Sequence, residues 1–172
     1  MRRSLSVLIV VVAAIAMQAS TATAATTITI NGQFREITTR VNTGPRCFNG
    51  AVGIGQLQGY GKACEQFTYQ SFDGYNADGC PMFTGTDTFT LNDAQRSSFT
   101  ELEHETACFT APNAPGQKRS FGNPGIITGT WTFVPGTGTG VFANVCAGSG
   151  SVSLHFAGAA GIADYTGELT RC

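Results

Sequence analysis

The segment ELEHE, residues 101–105, carries three carboxylates at alternate positions. In an extended strand, Glu101, Glu103 and Glu105 share one face, with neighbouring carboxylates about 6–7 Å apart. Carboxylates at that spacing can gather a hard cation such as calcium, or share protons with raised pKa values. Charged strand faces are usually solvated, and water then screens the repulsion between like charges. We therefore expect a solvated face and predict no metal, with these three glutamates as the candidate ligands if one binds.

Asp87 is the first of two catalytic candidates. It lies in phase with Phe83, Phe89 and Leu91, so a regular strand would direct it inward among apolar side chains. An inward carboxylate is costly unless it is paired, and its raised pKa suits a general acid or base. Gly85 offers the alternative that we favour, in which a bulge shifts the phase and turns Asp87 to solvent.

His104 is the second catalytic candidate, and it lies on the face of Leu102, opposite the three glutamates. A histidine in such a position is more often semi-buried and hydrogen-bonded than a catalytic base. His155 shares a polar strand face with Ser151 and Ser153, and the chain has no Gly-x-Ser-x-Gly elbow. The sequence therefore does not support a serine hydrolase.

Glycines 138 and 140, followed by Ala143, match the permissive form of the dinucleotide-binding fingerprint. That chemistry needs a strand before the loop and a helix after it, because the helix amino end binds the pyrophosphate. The residues that follow are β-like and punctuated by glycine, so we predict hairpin and bulge positions instead. The sequence predicts no cofactor.

The elements that must position these side chains are strands. Glycine and threonine are abundant, and turn signals recur at short intervals. Asn31-Gly32 predicts a two-residue hairpin. Residues 91–105 favour a turn into a strand over a short helix, and residues 111–125 form the longest predicted loop. We expect an all-β, single-domain antiparallel β-barrel, with a β-sandwich as the alternative.

Six cysteines lie in the chain after residue 25, and their even number predicts a disulfide framework. No C-x-x-C pair is present to suggest zinc. Sequence alone leaves fifteen possible pairings open. The predicted disulfide cysteines are Cys47, Cys64, Cys80, Cys108, Cys146 and Cys172.

Residues 1–25 read as a signal peptide that is removed. Arg2 and Arg3 precede a short apolar run, and Ala22-Thr23-Ala24 fits a cleavage site. The run is short for a membrane-spanning helix, so we expect no stable membrane anchor after cleavage. Residues 26–172 then form a single β-rich domain, secreted to the extracellular space or the periplasm.

The charge balance argues against polyanionic partners. The chain has 10 basic and 11 acidic residues, and loss of the two leader arginines leaves 8 against 11, a net charge of −3. Nucleic acids and anionic membranes require a cationic footprint, and no basic stretch is present. We predict no nucleic-acid partner, and the sequence does not define the oligomeric state.

The stretch GTWTFVPGTGTGVFANVCAGSGSVSLHFAG, followed by ADYTGEL, resembles the closing strands of allene oxide cyclase-like and dirigent-like β-barrels. The likeness spans about residues 126–170, with Pro135 where that pattern often has glycine. The matching positions are Gly136, Gly138, Gly140, Phe142, Gly148 and Gly150. The resemblance implies an up-and-down barrel whose apolar pocket cyclises or orients small hydrophobic molecules. It carries over no catalytic residue, and the disulfide framework departs from the plant members.

Three functions are compatible with these observations. The favoured one is a secreted, disulfide-stabilised β-barrel that binds a small apolar ligand or has a structural role, without a catalytic signature. The second is a cyclase or isomerase on the same barrel, with Asp87 or His104 as its polar group. The third is a secreted protein-binding or inhibitor module with an exposed apolar patch.

Overall fold

The computed structural model describes residues 25–37, 51–109, 124–157 and 160–172, and they form an all-β protein. Alternating apolar and polar residues account for the strands, because each strand turns one face inward. The strands are β1 (Thr26–Ile37), β2 (Ala51–Leu57), β3 (Gly61–Tyr75), β4 (Pro81–Leu91), β5 (Ser98–Phe109), β6 (Gly125–Phe133), β7 (Val145–Ala157) and β8 (Ala160–Arg171).

Every strand pairs antiparallel with its neighbours in sequence, and β1 pairs with β8 to close a barrel. This confirms the predicted barrel over the sandwich. One row of paired inward-facing residues, followed once around the barrel, starts and ends on β5, ten residues apart. The row is Phe99, Phe89, Glu65, Gly53, Glu36, Gly161, Phe156, Gly125 and Phe109. Such a stagger requires strands that are steeply tilted to the barrel axis.

One end of the barrel, called here the closed end, is plugged by the connection between β6 and β7. A short 3-10 helix, Gly140–Phe142, places the Phe142 ring against Phe99 and Tyr60, with centroid distances of 4.8 and 5.0 Å. The strand β7 follows this connection, as predicted, instead of the helix that a dinucleotide site requires. The opposite end, where β1, β3, β5 and β7 finish, is called the mouth.

Inward-facing glycines make room for large inward side chains on neighbouring strands. A Cβ atom added at Gly150 or Gly167 would collide with the Trp131 ring, and one added at Gly53 would collide with the Glu65 carboxyl. Trp131 is therefore a core residue. The glycine content of this chain is in large part a packing requirement of the barrel interior.

The predicted hairpin at Asn31-Gly32 is wrong, because β1 runs through both residues without a break. Gly32 is instead needed for packing, since an added Cβ would meet Leu57 and Phe34. The segment 91–105 runs from the last residue of β4 through a turn into β5, as expected. The predicted signal peptide, apart from Ala25, and most of the predicted loop at residues 111–125 lie outside the described residues.

Two disulfides form among the predicted cysteines, one at each end of the barrel. Cys80–Cys108 links the start of β4 to β5 near the mouth, with Cα atoms 5.0 Å apart. Cys146–Cys172 links β7 to the chain end at the closed end, with Cα atoms 5.9 Å apart. Cys64 is also disulfide-bonded, and Cys47 lies outside the described residues.

Candidate functional site

Six of the eleven acidic residues of the chain direct their side chains into the barrel. The set is Glu36 on β1, Glu65 on β3, Asp87 on β4, and Glu101, Glu103 and Glu105 on β5. All except Glu36 are buried, and Glu36 is half-buried. We call these six residues the carboxyl cluster.

The alternation of β5 places three of the carboxyls in one inward column. Glu101, Glu103 and Glu105 are buried, whereas Leu102 is half-buried and His104 is exposed on the outer face. The expectation of a solvated glutamate face is therefore wrong. In an antiparallel barrel the inward phase is set by Phe99 and Ala107 at the two ends of the strand, and the glutamates share that phase.

Asp87 faces the interior because β4 keeps its regular phase through Gly85. The expected bulge at Gly85 is wrong, since the extra residues are in the partner strand β3. Gly85 instead leaves space for the Phe67 ring, which an added Cβ would strike. The Tyr165 hydroxyl donates a hydrogen bond of 3.1 Å to Asp87 Oδ2.

Burial raises the pKa of every member of the carboxyl cluster, because a charged carboxylate is poorly solvated inside the barrel. The pKa of Asp87 rises to about 7, through burial first and Glu36 next, against the opposing hydrogen bond from Tyr165. The pKa of Glu105 rises to about 8, through burial and the nearby charges of Glu36 and Asp87. Near neutral pH, protons therefore remain in the cluster.

The pKa values of the more deeply buried glutamates are also raised. Burial, followed by the charge of Asp87, raises the pKa values of Glu65, Glu101 and Glu103 well above the usual range. Glu36 contacts Glu65, and Glu101 contacts Glu103, so a proton on one carboxyl can be shared with its neighbour. Both oxygens of Glu65 and of Glu103 nonetheless lack a well-aligned hydrogen-bond partner among the described residues.

Within the described part of the chain, no basic side chain faces this cluster. Arg35, Lys62 and Arg96 are exposed, and Arg171 donates to the Val141 carbonyl at the closed end. The remaining basic residues after position 25 belong to segments outside the described residues, and they are Arg40, Arg46, Lys118 and Arg119. The six carboxyls thus form a concentration of acid groups without a visible counter-charge.

The candidate metal ligands do not converge on one point. Over the ranges that the structure describes, no three His, Cys, Asp or Glu side chains are arranged to hold a metal ion. Glu101 and Glu105 are separated along β5 by Glu103, and their carboxyls are spread along the strand. The arrangement suits proton sharing, or a cationic ligand larger than a metal ion.

The second catalytic candidate, His104, lies outside the barrel and is not brought together with Asp87. Its Nδ1 atom lies 2.8 Å from the Thr84 hydroxyl, which also donates to the Asp73 carboxylate. Hydrogen bonds from Thr84 and then Ser71 lower the pKa of Asp73. This outer network joins β3, β4 and β5 beneath the mouth.

A shallow cavity of about 610 Å3 lies at the mouth edge, on the outer side of the barrel. Its lining includes the exposed residues Arg35, Ile126, His155 and Ile162, together with Phe156. Because four of these side chains point away from the interior, the cavity is separate from the carboxyl cluster. Apolar side chains form most of its surface, and Arg35 and His155 are the two basic residues that line it.

Glu36 and Glu65 are the members of the cluster that sequence reasoning missed. Glu36 shares its phase with the inward Phe34, and Glu65 shares its phase with Ala63 and Phe67. That alternation was the available signal. It was obscured because a single charged residue in a strand is ordinarily assigned to the solvent face.

No helix among the described residues is long and apolar enough to span a membrane. Comparison with known proteins finds no family model that matches the chain, no similar curated protein and no similar solved structure. The family resemblance of residues 126–170 therefore stays a prediction, and the geometry of the barrel is the basis for a function.

Proposed function

We propose that this protein is a secreted β-barrel that binds a small organic cation at its mouth. The observation that carries the proposal is the carboxyl cluster, six inward acid groups with no basic side chain opposite them in the described part of the chain. Buried carboxylates are stabilised when a positive charge lies close by. A bound ammonium group would supply that charge.

The part of the cluster that a ligand can reach is its mouth side. Glu36 is half-buried and Glu105 is 7% exposed, whereas Glu65, Glu103 and Asp87 lie behind them and are at most 2% exposed. A cation beside Glu36 and Glu105 would favour their ionised forms and displace protons from the cluster. The expectation of an apolar ligand is thereby narrowed to a cation with an apolar body.

The compartment is part of the proposal. The leader at residues 1–25 directs export, and the disulfides of the barrel are consistent with an oxidising, extracellular location. Small amines and quaternary ammonium compounds are ligands that an exported protein can meet free in solution. The mature net charge of −3 also favours cationic over anionic ligands.

Acid–base catalysis of a cyclase or isomerase type is a second candidate, favoured by one contact. Asp87, with a pKa of about 7, accepts the Tyr165 hydroxyl at 3.1 Å, so the pair can hold or release a proton near neutral pH. Recovery of a chemically altered ligand after incubation supports this candidate. Recovery of unchanged ligand leaves binding as the function.

Calorimetric titration of the mature protein with 2-phenylethylammonium at pH 6 tests the binding proposal. We expect saturable binding with proton release, seen as a dependence of the heat on the ionisation enthalpy of the buffer. Glu105→Gln should weaken binding about tenfold, the loss of roughly one charge-assisted contact. The matched control Glu168→Gln, at an exposed position on β8, should leave binding unchanged.

Titration with the neutral analogue 2-phenylethanol distinguishes a cation-binding site from a purely apolar one. If it binds as tightly as the ammonium compound, the ligand is apolar and the cation proposal is wrong. If neither compound nor any simple ammonium ion binds, the barrel does not have the proposed function. Weaker binding of the alcohol, with no proton release, supports the proposal.

A further inference from the structure

We propose that the β3–β4 hairpin carries an aromatic subsite for the apolar body of the cation, so that the ligand class is an extended alkyl- or aryl-ammonium ion. This inference rests on the proposed function and names the part of the ligand that the carboxyl cluster does not bind. Four aromatic residues on β3 carry it. They are Phe67, Tyr69, Phe72 and Tyr75.

Two irregularities in β3 keep these four side chains in the inward phase. A strict alternation from Phe67 would include Tyr69 but would turn Phe72 outward. The register shifts between Tyr69 and Ser71, and again between Phe72 and Gly74, each adding one residue to β3. The aromatic column therefore continues the interior surface of the barrel along β3 as far as the mouth.

The aromatic column lies beside the glutamate column, with β4 between them. Three rows of paired residues connect the two columns. The rows are Phe67–Asp87–Glu101, Tyr69–Gly85–Glu103 and Phe72–Phe83–Glu105. A cationic head near Glu105 would thus be level with Phe72, and its body could extend past Tyr75, roughly 10 Å further along the strand.

Unlike the core aromatics, three of these four side chains are more than half exposed. Tyr69, Phe72 and Tyr75 are 58%, 53% and 59% exposed. The Phe72 and Tyr75 rings pack edge to face with centroids 5.2 Å apart, and Tyr69 lies 6.5 Å from the Phe83 ring. Exposed apolar clusters of this kind mark binding surfaces, and aromatic faces attract ammonium groups.

The outer network described above holds this hairpin in place. On the face opposite the aromatic column, Asp73 accepts hydrogen bonds from Ser71 and Thr84, and Thr84 contacts His104 on β5. The Cys80–Cys108 disulfide fixes the end of the hairpin to β5. The subsite is therefore pre-organised, and His104, a catalytic candidate in the sequence, has a positioning role in it.

The test is a titration series of alkyltrimethylammonium ions with one, four and eight alkyl carbons, each below its micelle concentration. For the wild-type protein we expect affinity to rise about tenfold or more from the shortest to the longest ion, because more methylenes lie on the rings. The double variant Tyr69→Ser/Tyr75→Ser should lose this rise. It should still bind the shortest ion, because the carboxyl cluster is unchanged in this variant.

Thr68→Ala, on the outer face of the same strand, is the matched control and should keep the rise. Thermal unfolding of each variant shows that it is folded. Binding that is equal for all chain lengths, or a rise that survives in the tyrosine variant, overturns the aromatic subsite and leaves the cation proposal intact. Absence of binding by every ion overturns the proposed function itself.

Discussion

Glu103 has no exposed surface, and neither of its carboxylate oxygens meets a well-aligned donor among the described residues. It pairs in register with Trp131, whose indole Nε1 also lacks a partner in the described part of the structure. Buried polar atoms are usually satisfied, and exceptions often mark functional positions. At the scale of single residues, this is the strongest sign that the interior serves more than stability.

Gly167 illustrates the packing constraint on single residues. Gly167→Ala should lower the free energy of unfolding by about 3 kcal/mol, because the added Cβ meets the Trp131 ring and the Ser149 carbonyl. Gly59→Ala, in a turn with positive φ and open space around it, should cost only about 1 kcal/mol. Urea unfolding of both variants measures the difference, and an equal or smaller cost at Gly167 would contradict the tight interior.

At the scale of elements, β3 and β5 have complementary roles. β5 is regular, so its glutamates stay in one inward column, whereas β3 has two register shifts that keep its aromatic residues inward as far as the mouth. A regular β3 would direct Phe72 outward and separate the two columns. The irregular strand is thus the element that places apolar groups beside the acid groups.

The last strand, β8, is tied to β7 by the Cys146–Cys172 disulfide. Replacing both cysteines by serine should cost about 3–4 kcal/mol, because the bridge closes a loop with a sequence separation of 26 residues in the unfolded chain. The Cys80–Cys108 pair, with a separation of 28 residues, is the matched comparison and should cost about the same. Urea unfolding without reductant checks both values. Unchanged stability in the first variant would show that strand pairing alone holds the chain end.

At the scale of the whole molecule, closure of the barrel is what concentrates the acid groups. The carboxyl cluster draws on four strands, and pairing of β1 with β8 brings Glu36 to the same interior as Asp87 and the β5 glutamates. An open sheet would leave one side of these groups in water. Closure therefore couples the fold to the protonation state of the interior.

Stability should fall as the pH rises from 5 to 8.5. The raised pKa values mean that the folded state binds more protons than the unfolded state, so this stabilisation is complete below the unfolded pKa values, near 4. It is lost as the pH passes through about 7 for Asp87 and about 8 for Glu105. Calorimetry without ligand should show a Tm at least about 5 °C lower at pH 8.5.

Asp87→Asn should reduce this pH dependence while its amide oxygen still accepts the Tyr165 hydroxyl. Glu168→Gln, at an exposed position, should leave the dependence unchanged. The lowered pKa values of Asp73 and Asp93 act in the opposite direction, but because they lie below the ordinary aspartate value, their effect is confined to more acidic pH. A Tm that is constant or higher at pH 8.5 would contradict the buried, protonated cluster.

The sequence by itself determined the all-β class, the barrel and the disulfide cysteines of the described residues, because alternation, turn residues and cysteine count are local signals. It also placed Asp87, Glu101, Glu103 and Glu105 on single strand faces. Only the tertiary structure decided that these faces point inward, since alternation defines two faces without saying which one meets the core. The same limit explains the Asn31-Gly32 error: glycine suits a hairpin turn and a crowded interior equally well, and only the neighbours Phe34 and Leu57 distinguish them.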